Sequence, residues 1–246
     1  MADFFLYVGL FVVAFLYATV GHGGGSGYIA VFSLVNFPVE KIPAFSLGLN
    51  IIVSGIGALR FYSRRLLDVP SLLRIIVFSM PSAFLGASLK VEREILSKVI
   101  GLVLIFSAFR LFMKVGNDGK NQSFKNKIDL PYGFLLGSSI GFLSGMTGVG
   151  GGIFLSPVLI IFRIMEPIRT AALSSAFILL NSIVGIIPRV GKLNIGDVKN
   201  ILIFALIVLV GGYLGNYMTL NKFSQDTVKK LLAVVLIIAG TKLLIF

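Results

Sequence analysis

The chain contains no cysteine, a single histidine and ten carboxylates in 246 residues. Without cysteine there is no disulfide, thiol nucleophile or thiolate metal site. One imidazole and few acids leave little material for a metal or acid–base centre. No Gly-x-x-x-x-Gly-Lys-Ser/Thr phosphate loop occurs, which excludes ATP hydrolysis by that route. Charge is scarce too: only 13% of residues are charged, about half the share of a soluble domain. What fills the chain instead is apolar, with 57% hydrophobic residues before glycine is counted. A single water-soluble core cannot hide that much apolar surface, which excludes a soluble enzyme or nucleic-acid module. The net charge of +12 is spread in short clusters between apolar runs, as the positive-inside rule places it in a membrane protein.

A hydrocarbon core of about 30 Å needs roughly 20 apolar residues per helix. Spans are expected at about 44–62, 70–89, 95–113, 169–188, 199–219 and 228–246. Residues 1–20 carry no Lys or Arg and read as a membrane segment rather than a signal peptide. Two regions, 4–37 and 131–165, are too long for one upright crossing, and each is interrupted by a glycine cluster. Each is expected to form two helical segments joined at the glycines. Val115 to Asp129 is the one polar stretch.

The two sides of that stretch repeat. Gly21-His22-Gly23-Gly24-Gly25 aligns with Gly148-Val149-Gly150-Gly151-Gly152 at an offset of 127. Ala44-Phe45-Ser46 aligns with Ala172-Leu173-Ser174, and Gly86 with Gly215. Duplication of this kind is a common build for secondary transporters. The expected fold is an all-α polytopic membrane protein. It has two inverted repeats, 1–114 and 130–246, joined by the loop 115–129, each repeat with a Gly-broken helical hairpin. Under inversion thirteen Lys and Arg lie on one face and eight on the other, with Arg74 left out. If each glycine region crossed once, the division would be twelve and nine.

Non-helical backbone survives in a bilayer only where it is buried in protein or lines a cavity. Three glycines in a row at matching places mark such breaks. The helix that restarts there offers free N–H groups and the positive end of its dipole, which suit an anion. Close helix packing through small residues is the alternative. Ser46, Asn50 and Ser54 share one helical face, and Ser174, Asn181 and Ser182 form a similar stripe. Their uncharged donors suit an anion that must later be released; interhelical hydrogen bonding is the competing account. His22 is the one group that titrates near neutral pH when unperturbed, and its roles are anion binding, proton coupling or bracing the break. Glu40 and Glu166 are expected at the interface, Arg74 is expected to snorkel, and Arg60 and Arg189 end matching helices.

The pattern Gly-x-Gly-Gly-Gly followed five residues later by proline, once per half, resembles the TauE/SafE sulfite exporter family. The second copy fits, with Gly148, Gly150, Gly151, Gly152 and Pro157; the first departs, with His22 inside the motif and Ala30 at the proline position. The resemblance implies a multi-pass, non-enzymatic transporter of sulfite, sulfonates or related sulfur-containing anions, without a cofactor. The candidate binding residues are His22, Gly23, Gly24, Gly25, Ser46, Asn50, Gly150, Gly151, Gly152, Ser174 and Asn181. Expected partners are the anion and the lipid bilayer, with no nucleic acid; a coupling proton and a homo-oligomer stay open. An anion channel, a membrane-embedded enzyme and a structural membrane partner are the competing functions.

Overall fold

In the computed structural model, which describes residues 2–89, 98, 101–102, 104–109, 112 and 124–245, every long element is a helix. The first half contains α1 (Ala2–Ala18), α2 (Gly25–Leu34), α3 (Ile42–Ser63) and α4 (Val69–Ser88). The second contains α5 (Leu130–Thr147), α6 (Gly152–Ile161), α7 (Pro167–Ile186), α8 (Val198–Asn221) and α9 (Gln225–Ile245). Short 3-10 segments, Ile187–Lys192 and Ile195–Asp197, connect α7 to α8. The described residues between 98 and 112 are helical too; nine of the nineteen residues of the span expected at 95–113, and residues 115–123 of the polar loop, lie outside the described residues. Helices α3, α4, α7 with its 3-10 extension, and α8 are each long and apolar enough to cross a bilayer.

Both glycine clusters break the helix, and the chain turns back on itself there. Gly9 of α1 packs against Val31 of α2, and Gly27 of α2 against Val13 of α1, so the two helices run antiparallel. Tyr17 Oη and Ser26 Oγ close the hairpin at 2.8 Å. In the second hairpin Leu136 and Val158 line one cavity, while Gly151 abuts Ser144. Gly24 and Gly151 precede the returning helices with φ of 103° and 84°, a left-handed conformation that a side chain resists. Each returning helix has ten residues, or about 15 Å, half the hydrocarbon core.

Glycine also sets how the helices pair. Gly133, Gly137, Gly141 and Gly145 of α5 meet the backbone oxygens of Arg74, Ile75, Ser79 and Ala83 of α4 in turn. The numbers rise together, so α4 and α5 are parallel. Gly211 and Gly215 of α8 meet the Phe11 and Phe15 oxygens of α1 in the same sense. Helices α3 and α7 run oppositely: Gly57 faces Ser175, Gly55 faces Leu179 and Gly48 faces Ile186. One apolar core joins α1, α2, α3 and α8; another joins mainly α4 to α7 and α9. Outside, Phe5, Leu59, Leu73, Val77, Leu202 and Leu206 are exposed, whereas the interior holds serines, threonines and asparagines. An apolar exterior is the arrangement a bilayer demands.

The connections gather on two faces. On face A, Lys41 Nζ bonds Asp197 Oδ2 at 2.9 Å and ties the start of α3 to the start of α8. On face B, Arg64 donates to Asn221 Oδ1 at 3.1 Å, Asn126 pairs with Glu166, and the Ile168 amide donates to Gln225. Arg74 donates to the Ile128 carbonyl oxygen at 2.7 Å. The Asn194 amide and the Lys41 ammonium hold the Asp197 carboxyl below its ordinary value. Because that acid is favoured ionised when folded, its contribution is full above the ordinary carboxylate range and is lost as pH falls through the lowered value. In Asp197→Asn, acid unfolding measured between pH 5 and the lowered value should therefore lose part of its pH dependence.

The backbone contacts generate a stability prediction. A Cβ on Gly86 would lie 2.3 Å from the Phe142 oxygen, and one on Gly215 2.3 Å from the Phe15 oxygen. Gly86→Val and Gly215→Val should each lower stability by about 1–3 kcal/mol, the usual cost of overpacking. Gly191→Ala, which has open space, should be neutral in thermal unfolding of the detergent-solubilised protein.

Candidate functional site

The two breaks enter from opposite faces and meet at Asn50 in the middle of α3. Asn50 is fully buried, and its Nδ2 donates to the Val149 carbonyl oxygen in the second break at 3.1 Å. A Cβ on Gly23 would lie 2.4 Å from Asn50 Oδ1; one on Gly25 would lie 2.7 Å from Nδ2, and one on Gly150 2.8 Å from it. One side chain thus spans both glycine clusters. Ser46, one turn earlier on the same face, donates to the Gly25 oxygen at 2.9 Å. Ser54, one turn later, donates to the Asn50 oxygen. The three share one face of α3, and Ser46 and Asn50 lie against the first break.

On the other side, His22 Nε2 meets Ser156 Oγ at 2.7 Å, and Ser156 Oγ meets Ser174 Oγ at 2.8 Å. This buried chain links the first break to α6 and α7. The surroundings of the two breaks differ in chemistry. Gly25 abuts Asn50 and Val149, while Gly152 abuts Ile178 and His22. An amide and an imidazole on one side stand where an isoleucine and a valine stand on the other.

Asn181 is not brought into this cluster. Its Oδ1 accepts from Ser79 Oγ at 2.7 Å and its Nδ2 donates to the Phe177 oxygen at 3.0 Å, so interhelical bonding between α4 and α7 accounts for it. Glu166 sits at face B with Asn126 and lies 4.0 Å from Arg169, as an interfacial charge does. Arg60 donates to the Tyr213 oxygen and stacks 4.4 Å over that ring. Arg189 is buried and donates to the Gly185 and Gly145 oxygens at 2.7 Å each.

Three contributors were not among the candidates. Ser156 completes the histidine chain; its counterpart 127 positions earlier is Ile29, so the repeat offers no signal for it. Tyr28 lies against Gly24, a single aromatic that resembles ordinary core in the sequence. Ser175 donates to the Gly21 oxygen at 2.9 Å and so ties α7 to the first break. Among the described residues, five buried polar atoms lack a partner: His22 Nδ1, Tyr28 Oη, Asn50 Oδ1, Ser182 Oγ and Asn216 Oδ1. The first four belong to residues in or against the breaks: Tyr28 abuts Gly24, Asn50 abuts Gly23 and Ser182 abuts Gly150. Unpaired buried polar atoms are costly, and four of the five gather at the breaks.

The packing is nevertheless tight. A Cβ on Gly24 would overlap the Tyr28 ring, and one on Gly151 the Phe177 ring. These two glycines are required by backbone conformation and by space alike, so substituting them perturbs folding before it reports on a ligand.

The chain matches the family model described as sulfite exporter TauE/SafE over residues 6–243. It is 31% identical over 241 residues to the probable membrane transporter protein y4hK of Sinorhizobium fredii, covering 97% of each chain. It is 25% identical over 269 residues to the probable membrane transporter protein YunE of Bacillus subtilis, again covering 97% of each. A probable membrane transporter protein of Methanocaldococcus jannaschii is 28% identical over 254 residues, covering 96% of this chain and 92% of that one. No solved structure matches. With that coverage, the matched breaks and the apolar exterior, the chain belongs to the TauE/SafE sulfite exporter family and is a multi-pass membrane transporter.

Proposed function

We propose that this protein is a secondary carrier of a small sulfur-containing anion, bound between the two glycine breaks and moved by alternating access. The observation that carries this reading is the convergence of both breaks on Asn50. A dehydrated anion needs several donors in one small volume. The first amides of α2 and α6 have no acceptor within their helices, and peptide dipoles add positive potential there. Asn50, Ser46, His22 and Ser174 supply uncharged polar groups around them. Buried lysine or arginine at the same depth would hold the anion against release. Asn50, Tyr28, Ile178 and Phe177 pack against the glycines of the breaks, and a site packed this tightly favours a carrier that opens to one face at a time over a standing channel.

Inverted halves would give the two openings equivalent geometry. Support comes from the helix directions: the third helices of the halves, α3 and α7, pack antiparallel, while the first of each half pairs in parallel with the fourth of the other. With each hairpin returning to its own face, α1–α2 opens on face A and α5–α6 on face B. The richer set of Lys and Arg then lies on face B, which the positive-inside rule assigns to the cytoplasm. The motion we propose is a rocking of the α1–α2–α3–α8 body against the α4–α7 body across the α3–α7 contact.

Topology is tested with single cysteines in this cysteine-free chain. Ser63→Cys should label from the cytoplasm and Lys192→Cys from outside; labelling of both from one side would overturn inversion. Transport is tested by proteoliposome flux with sulfite, sulfate, thiosulfate, taurine and sulfoacetate compared. Asn50→Ala should weaken apparent affinity by about 1–2 kcal/mol, the loss of a hydrogen bond to a charged group, or about 5–30-fold. Asn181→Ala, whose partners lie on α4 and α7, should lower stability and leave affinity nearly unchanged. Equal affinity losses in both variants would remove Asn50 from the site.

A further inference from the structure

The chemistry of the compartment narrows the cargo further. Its amide is oriented by a neighbour: the Val149 carbonyl oxygen accepts from Asn50 Nδ2 at 3.1 Å, and only an N–H can serve that oxygen. The opposite atom of the same amide, Asn50 Oδ1, is therefore the one that faces Gly23. It is buried and has no partner. An amide oxygen can accept a hydrogen bond and cannot donate one. The other unpartnered groups in or against the breaks are His22 Nδ1, whose role follows the ring tautomer, and the hydroxyls Tyr28 Oη and Ser182 Oγ, which can donate, as can the first amides of α2 and α6. The compartment thus combines several donors with one fixed acceptor.

A fully deprotonated oxyanion satisfies the donors and repels the acceptor. A singly charged oxyanion that still bears a hydrogen satisfies both. We infer that the transported form is a hydrogen-bearing monoanion of the hydrogen-sulfite type, whose hydrogen is donated to Asn50 Oδ1 while its oxygens accept from the break amides and hydroxyls. This rests on the reading of the breaks as the anion site and adds the protonation state of the cargo and the residue that reads it. Selectivity of this kind is strong in buried sites, because a cargo without the hydrogen leaves the acceptor unpaired.

The other groups able to titrate near this point must be kept apart from the cargo's own proton. Tyr17 and His22 lie in the first hairpin and Tyr28 on α2. On α7 the charged group is Arg169, 4.0 Å from Glu166 at face B; Arg189, in the 3-10 segment that follows, is bonded to the Gly185 and Gly145 oxygens. On α8 the side facing α3 carries Asn216, beside Gly57. Asp197, bonded to Lys41 at the face A end of α3, is the only buried carboxylate among the described residues. His22 is therefore the group whose protonation could imitate the effect.

The test is initial flux into proteoliposomes from pH 6 to 8, with protein-free vesicles subtracted. Sulfite, which loses its second proton in this range, is compared with methanesulfonate, which has none to lose. Sulfite flux at fixed total concentration should fall with pH in step with the hydrogen-sulfite fraction, while methanesulfonate flux is flat and weaker by roughly tenfold. Asn50→Ala should abolish that preference and the pH slope; a slope set by His22 rather than by the cargo would appear with methanesulfonate as well. As a measurement that needs no variant, hydrogen sulfite should raise the melting temperature of the wild-type protein more at pH 6 than at pH 8. The inference is overturned, with the anion site left standing, if methanesulfonate is carried as well as sulfite, if both share one pH profile, or if Asn50→Ala keeps the preference. Transport of neither anion overturns the inference and the proposed sulfur-anion function together.

Discussion

Backbone polar groups in hydrocarbon have no water to turn to, and every other feature of this protein is arranged around the two places where its helices stop. A helix end in the middle of a bilayer leaves amides without acceptors. The protein answers by burying both ends against each other, with Asn50 bonded to Val149 across the gap and Ser46 bonded to Gly25. Glycine is what allows the approach: the left-handed φ of Gly24 and Gly151 turns the chain, and the missing Cβ of Gly25 and Gly150 lets the amide of Asn50 lie against the backbone.

The same device, repeated along whole helices, joins the two halves. The stripe Gly133, Gly137, Gly141 and Gly145 rests directly on α4, and Gly211 and Gly215 rest on α1. With little hydrophobic drive between helices inside lipid, close backbone contact and polar links such as Ser79 to Asn181 carry the association. Each half thereby lends its fourth helix to the core of the other, so neither packs alone. The antiparallel α3–α7 seam lies between, and the compartment at Asn50 sits on that seam.

How much of this was legible depended on whether the signal was local. The glycine clusters were, since runs such as Gly23-Gly24-Gly25 cannot continue a helix cheaply, and the hairpins at 4–37 and 131–165 followed from their length. The face shared by Ser46, Asn50 and Ser54 followed from helical period alone. Asn181 falls in a stripe with Ser174 and Ser182 in the sequence, yet its amide oxygen accepts from Ser79; the partner of a polar side chain depends on helix pairing, which no period reveals. Ser156 and Tyr28 were missed because the equivalent positions carry apolar residues or ordinary core aromatics. The parallel pairing of α4 with α5 was equally hidden. A glycine stripe announces that a helix will approach closely but not which one.

The central claim is that the space between the breaks holds the anion. Selenite, a close analogue of sulfite, makes that location directly observable through the anomalous scattering of selenium. In crystals of the wild-type protein grown with selenite, the selenium peak should lie within about 4 Å of Asn50 and the first amides of α2 and α6. Asn50→Ala crystals should show it weakened. A peak found instead only among the face B lysines, in the cavity of about 280 Å³ lined by Lys125 and Lys127, with none near Asn50, would contradict the account.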